Sequence, residues 1–162
     1  MVNTKESGFT SLELVVVMLI VGILAVIALP RLAGADNDDI VFRDQVVSAL
    51  RYAQKTAVSH RRMVCVAFSQ GSLALRIAAA SNSADCDNGA DLTVPGGGGN
   101  AVTSRSASVM FVSPPAKAWF TSEGWWKNGP AYANMALRAI KIMGRNGLVA
   151  DIIVEFDTGY VN

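Results

Sequence analysis

The stretch Gly8-Phe9-Thr10-Ser11-Leu12-Glu13, followed by the uncharged run from Leu14 to Leu29, decides how this chain of 162 residues is read. From Phe9 to Leu29 there are 21 residues. As a helix rising 1.5 Å per residue they span roughly 30 Å, the thickness of the hydrocarbon core of a bilayer. The segment is expected to cross a membrane once. One carboxylate, Glu13, lies inside it, and an intramembrane acid costs about 2.5 to 3.5 kcal/mol on insertion scales, so it implies a partner.

C-terminal to this run, Pro30 removes a backbone hydrogen bond and is expected to bend or loosen the turn before it. A polar interruption, Ala35-Asp36-Asn37-Asp38-Asp39, is followed by renewed helical periodicity. Ile40, Val47, Leu50 and Ala57 fall near one face, flanked by Phe42, Val46, Ala49 and Ala53, with Arg43, Asp44, Arg51 and Lys55 opposite. The pattern predicts one long helix, its first half hydrophobic and its second half amphipathic, the latter packed on a sheet. The rest reads as strands. Met63–Phe68 and Leu73–Ala79 form a hairpin about Gly71-Ser72, and Ala80 to Ser108, with Pro95 and Gly96 to Gly99, reads as a long mobile loop. Further strands are expected at Val109–Val112, Ala118–Thr121, Leu137–Ile142 and Val149–Phe156, the last two joined by the turn Gly144-Arg145-Asn146-Gly147. The fold class is α+β, with one compact head of ordinary domain size.

Composition argues against catalysis and against a cofactor. Formal net charge is +1, and no global charge favours nucleic acid. The single histidine, His60, leaves little material for a triad or a multi-histidine metal site and reads as a solvent-facing neighbour of Arg61 and Arg62. Asp85, Asp87 and Asp91 superficially suggest a calcium loop, but Gly89 occupies the third ligand position and no glutamate closes it, so no metal is expected. Gly96 to Gly99 lacks the Gly-Lys-Ser/Thr ending of a phosphate loop and is a linker. Arg51, Lys55, Arg61 and Arg62 could make a basic strip with Trp119, Trp125 and Trp126 available for stacking, although a solvated helix face with core aromatics is the simpler reading. The pair Trp125-Trp126 is either an exposed partner patch or buried against the helix.

The N-terminal stretch resembles that of a type IV prepilin. In that family a short leader ends in glycine, phenylalanine becomes the new first residue, and glutamate stands fifth; here these are Met1 to Gly8, Phe9 and Glu13. The resemblance implies a pilin fold, cleavage between Gly8 and Phe9 by a prepilin peptidase, and N-methylation of Phe9. It also implies that Glu13 and Pro30 serve assembly, with Glu13 facing the α-ammonium of Phe9 on its own or a neighbouring subunit, where each charge relieves the other's desolvation. The chain then divides into a leader (1–8), a transmembrane and filament-core helix (9–29), an amphipathic helix half (30–58) and a β-rich head (59–162). Beyond the N-terminus, Leu50-Arg51-Tyr52-Ala53-Gln54-Lys55, Phe120 to Gly124 and Ile153 to Val161 are similar to H-type pseudopilins and FimT-like minor pilins, including those of mannose-sensitive haemagglutinin pili.

The function this implies is that of a structural pilus subunit, a minor pilin, held in the bacterial inner membrane with its head in the periplasm before it enters a pilus or a periplasmic pseudopilus. Its partners would be other pilins, the peptidase, and an assembly platform with its ATPase. The alternatives are an H-type pseudopilin of type II secretion and a DNA-binding pilin for transformation. For the last, Arg61 and Arg62 are the candidate contacts, but the chain ends Gly159-Tyr160-Val161-Asn162 and lacks the basic C-terminal stretch of DNA-capturing relatives. In an oxidising compartment Cys65 and Cys86 can form one disulfide; otherwise both stay as thiols. An ordinary secretory signal cut at Ala33-Gly34-Ala35 and a plain one-span anchor are competing readings of the first segment.

Overall fold

A computed structural model of the chain describes residues 10–32, 38–96, 99–115, 118–128, 138–147 and 149–162. Its contacts divide the chain into two units, Met1–Ala35 and Asp36–Asn162. The first holds helix α1 (Ser11–Leu32), which continues through Pro30. Thr10 caps it: the Thr10 carbonyl accepts from the Leu14 amide at 3.2 Å and its hydroxyl from the Glu13 amide at 3.3 Å, satisfying donors that a helix start leaves open. Side chains of α1 are described from Ser11 to Val26, sixteen residues or about 24 Å of helix. Among the described residues no helix is long and apolar enough to cross a membrane. The span expected from Phe9 to Leu29 begins and ends beyond those side chains.

The second unit is built on α2 (Asp38–His60). The sequence predicts one long helix; the structure describes two, and residues 33–37 between them lie outside the described residues. Asp38 and Asp39 occupy the first turn of α2, where carboxylates suit the partial positive charge of a helix start. Its buried residues are Phe42, Val46, Val47, Ala49, Leu50, Ala53, Thr56 and Ala57. Ile40, expected on this face, is 56% exposed. At 100° per residue it sits about 125° from the middle of the buried face, whereas Val47, Leu50 and Ala57 of the expected face are buried, as are all four residues read as its flank.

Nine strands follow among the described residues, all paired antiparallel, in two sheets where one was expected. They are β1 (Val64–Phe68), β2 (Ser72–Ile77), β3 (Ala90–Asp91), β4 (Ala101–Thr103), β5 (Met110–Val112), β6 (Ala118–Phe120), β7 (Trp126–Asn128), β8 (Arg138–Met143) and β9 (Val149–Val154). The first sheet runs β3-β2-β1-β6-β7, with β4 on another stretch of β2; the second runs β5-β8-β9. Leu137, expected to open β8, lies outside the described residues. The helix packs on strands of both sheets. Alternation along β1 buries Val64 and Val66 and leaves Cys65 and Ala67 on the other face. Aromatic pairs fill the core, with ring centroids 5.3 Å apart for Phe42 and Phe111, 5.2 Å for Phe68 and Phe111, and 4.8 Å for Phe120 and Trp126.

The stretch Ala80 to Ser108, expected as a mobile loop, is tied to the edge of the first sheet. Arg76 and Ile77 pair with β3, Ser72 to Ala74 pair with β4, and Val94 and Val102 are buried in the core. Small polar residues hid two short strands whose partners lie far along the chain. Gly97 and Gly98 of the expected linker lie outside the described residues.

Two glycines join the far end of α2 to the head. A Cβ on Gly159 would stand 2.0 Å from the Gly124 carbonyl oxygen, and one on Gly124 would stand 2.8 Å from Val58 Cγ2; φ is +65° and +88° respectively. Gly147 has a similar φ of +73° but open space around it. Gly159→Ala should therefore cost at least about 2 kcal/mol, from clash added to left-handed strain, while Gly147→Ala should cost about 1 kcal/mol. Urea unfolding of the two variants side by side checks the ranking.

Candidate assembly site

Glu13 occupies the first turn of α1. Thr10-Ser11-Leu12-Glu13 follows the Ser/Thr-x-x-Glu pattern of a capping box, and the half of it that runs from the Glu13 amide to the Thr10 hydroxyl is formed. The sequence carries this motif in full, inside the stretch that also carries the membrane signal. Glu13 makes no ion pair among the described residues. Around it Leu12, Leu14, Val15, Val16, Val17, Met18, Leu19 and Ile20 are all exposed. A helix apolar on every side needs lipid or protein around it. Gly8 and Phe9 lie outside the described residues, as does the side chain of Pro30.

At the C-terminal end of α2 the structure gathers three short motifs that lie far apart in the chain. Gln54 Nε2 donates to the Thr158 carbonyl, and Gly124 and Gly159 close on each other beside it. Arg51, expected on the solvent side, is exposed there and also donates from Nε and Nη2 to the Val161 carbonyl at 3.1 and 2.9 Å. Val161 is buried and bridges to Val154, so the final residues are held in the head. The two tryptophans part company: Trp126 is buried in the core, and Trp125 is 47% exposed, with Lys127 Nζ 5.5 Å from its ring centre. In the same turn the hydroxyls of Ser122 and Thr121, and the Glu123 amide, hold the exposed Glu123 carboxyl below the ordinary glutamate range. Its small contribution to stability is present above that range and is lost as pH falls through the lowered value.

Cys65 and Cys86 are joined, with S–S 2.02 Å and Cα–Cα 6.1 Å, on the face of the first sheet turned away from α2. They line a groove of about 440 Å³ together with Met63, Ala67, Arg76 and Trp119. Asp91 is engaged by Arg76 Nε at 3.1 Å, and Asp85 Oδ1 accepts from the Asp87 amide at 3.1 Å, so Asp85 and Asp91 serve the loop's own geometry. No cluster among the described residues could hold a metal ion.

His60, Arg61 and Arg62 are exposed at the end of α2. Arg62 and Arg61 close the helix by donating from their amides to the Ala57 and Val58 carbonyls at 3.1 and 3.3 Å. This Schellman closure puts Arg61 at φ +50°, where glycine is usual.

No protein-family model matches the chain, and no curated protein matches it by sequence. Among solved structures, the type IV minor pilin FimU of Pseudomonas aeruginosa superposes with a TM-score of 0.51 at 17% identity, over 78% of this chain and 87% of that one. The chain has the minor pilin fold. The minor pseudopilin EpsH, from the type 2 secretion system of Vibrio cholerae, superposes more loosely, with a TM-score of 0.42 at 10% identity over 78% of this chain and 100% of that one.

Within this minor pilin fold, the disulfide and the helix closure make opposite predictions. Removing the bond by Cys65→Ser with Cys86→Ser, which opens a loop of sequence separation 21, should cost about 3 kcal/mol. Arg61→Gly should instead add about 1 kcal/mol by relieving the left-handed strain. Chemical unfolding curves of both variants read these changes directly.

Proposed function

We propose that the chain is a structural subunit of a type IV pilus, a minor pilin that enters the filament through α1. The observation that carries this reading is a helix apolar on every side, with one carboxylate in its first turn, on a chain whose head has the minor pilin fold. In this reading a prepilin peptidase cleaves between Gly8 and Phe9 and the new amine is methylated. The α-ammonium then lies one residue before the Thr10 cap, at the end of the helix where Glu13 stands. Cationic amine and carboxylate in a low-dielectric surrounding attract strongly and each offsets the other's desolvation. An amine from a neighbouring subunit would complete the pair and set the register between subunits.

Before assembly the subunit is held in the inner membrane by α1 alone, completed by the residues that flank it, with its head in the periplasm. Other pilins bury the apolar helix surface, and an assembly platform with its ATPase supplies the work of extraction. Pro30 serves the packing of neighbouring helices. The head carries no part of a reaction; it gives the subunit its identity in the filament. An H-type pseudopilin of type II secretion would use the same helix and cap, and the filament with which the subunit co-purifies distinguishes the two.

The strain at Arg61 favours a second reading, contact with nucleic acid. The guanidinium groups of Arg61 and Arg62 have no hydrogen-bond or ion-pair partner among the described residues, and a costly backbone conformation kept on an exposed arginine is a reason to ask what it meets. Salt-dependent retardation of DNA by the protein, lost in Arg61→Ala with Arg62→Ala, supports that contact; absence of retardation at low salt removes it.

Mass spectrometry of the mature N-terminus is the test of the main reading. A methylated Phe9 is expected, whereas a start at Asp36 would mark a cleaved secretory signal and end the proposal. Glu13→Ala should leave membrane insertion intact and lower incorporation into filaments, measured as the ratio of sheared to membrane-bound subunit. An unchanged ratio rules out the charge pair.

A further inference from the structure

The sequence holds three Asn-Gly steps, Asn88-Gly89, Asn128-Gly129 and Asn146-Gly147. Such a step can modify itself, because glycine carries no Cβ to shield its amide nitrogen and moves its backbone freely. Gly129 lies outside the described residues, so the other two can be compared. At Gly89 the backbone is held on every side. Its amide donates to the Cys86 carbonyl at 3.0 Å, its carbonyl accepts from Arg76 Nη2 at 3.0 Å, and the point where a Cβ would stand is 2.1 Å from the Ile77 carbonyl oxygen. The step also follows directly on a disulfide-bonded cysteine and its neighbour.

Gly147 is the opposite case. Asn146 and Gly147 are both exposed at the tip of the β8–β9 hairpin, and among the described residues beyond its chain neighbours nothing lies within 4 Å of the point where a Gly147 Cβ would stand. One turn hydrogen bond, from its amide to the Gly144 carbonyl at 3.1 Å, holds its nitrogen.

We infer that Asn146-Gly147 is a site of spontaneous covalent modification, at which Asn146 becomes aspartate and isoaspartate with water as the co-reactant. The deprotonated Gly147 amide nitrogen attacks Asn146 Cγ. The N–Cγ bond forms and the Cγ–Nδ2 bond breaks, with Nδ2 leaving as ammonia after taking up a proton, and a five-membered imide remains. Water then opens the imide. Cleavage of the new bond at Cγ gives aspartate, and cleavage of the original peptide bond gives isoaspartate. Nothing is oxidised or reduced. The rate rises with pH because the nucleophile is the deprotonated amide.

The place of this step gives the change a structural effect. Gly144, in the same turn, lies so close to the start of α2 that a Cβ on it would be 2.7 Å from Asp39 Oδ2. Modification puts a carboxylate into this turn, two residues from the point where it meets Asp39, and, in the isoaspartate, one more methylene into the backbone. Like charges repel and the turn's register is stretched, so the contact between the hairpin and the helix loosens. The inference goes beyond the assembly reading and does not depend on it.

The test is peptide mapping by mass spectrometry of the full-length protein in detergent micelles, incubated in heavy-oxygen water at neutral and alkaline pH. Label is expected at residue 146, as both isomers, at least about tenfold faster than at Asn88, a difference of about 1.4 kcal/mol in barrier. The rate should rise with pH, and Gly147→Ala should slow it by a similar factor while leaving Asn88 unchanged. Equal or faster conversion of Asn88 overturns the inference. So does an unlabelled Asn146 in the folded protein when a free peptide covering residues 138–154 converts under the same conditions.

Discussion

The head depends on the burial of one stripe of α2. Phe42, Val46, Ala49, Leu50, Ala53 and Ala57 are the surface on which both sheets close, and each sheet is one-sided without it. Three alanines in that stripe let the backbone of the helix approach the strands, while Phe42 reaches Phe111 of the second sheet. Burial is close to complete along the row, so the stripe leaves little room for substitution: a larger side chain at Ala49, Ala53 or Ala57 would push a sheet away, and a smaller one at Leu50 would leave a void. Close approaches at the two ends of the helix then fix its register. Asp39 meets Gly144 at the start, and Gln54 and Arg51 take carbonyls of the final residues near the end.

Much of this was legible in the sequence because periodicity carries it. The helix, the first hairpin and the last hairpin follow from apolar spacing and from turn residues such as Asn146-Gly147. Ile40 misled because an apolar residue in a first turn counts equally on a wheel whether or not a sheet reaches that far. The edge strands β3 and β4 carry almost no signal of their own: two and three residues long, they exist because β2 offers unpaired backbone groups. Arg51 looked like one more cation on a wet face. Its role depends on the return of residues 110 positions away, which no local pattern encodes.

The functional residues divide in the same way. Glu13 was conspicuous since a charge interrupts an otherwise uncharged run, whereas the Thr10 cap beside it was hidden by the larger signal. The likenesses near residues 54, 124 and 159 carry no visible reason in the sequence. Their reason is steric: the turn backbones approach so closely beside Gln54 that only glycine fits, and a motif built on Gly124 and Gly159 records a close approach of two backbones.

The disulfide has a mechanical consequence. Cys65 is the second residue of β1, directly after the helix and its closing turn, and Cys86 follows the whole first hairpin. Tension drawn along the backbone passes from one sulfur to the other and bypasses everything between them. The 21 backbone steps from Cys65 to Cys86 represent about 70 Å of extensible length that a pull on the head cannot release. The hairpin on which the first sheet is assembled is thereby removed from the load path, and a stretched head yields in the elements outside the Cys65–Cys86 interval.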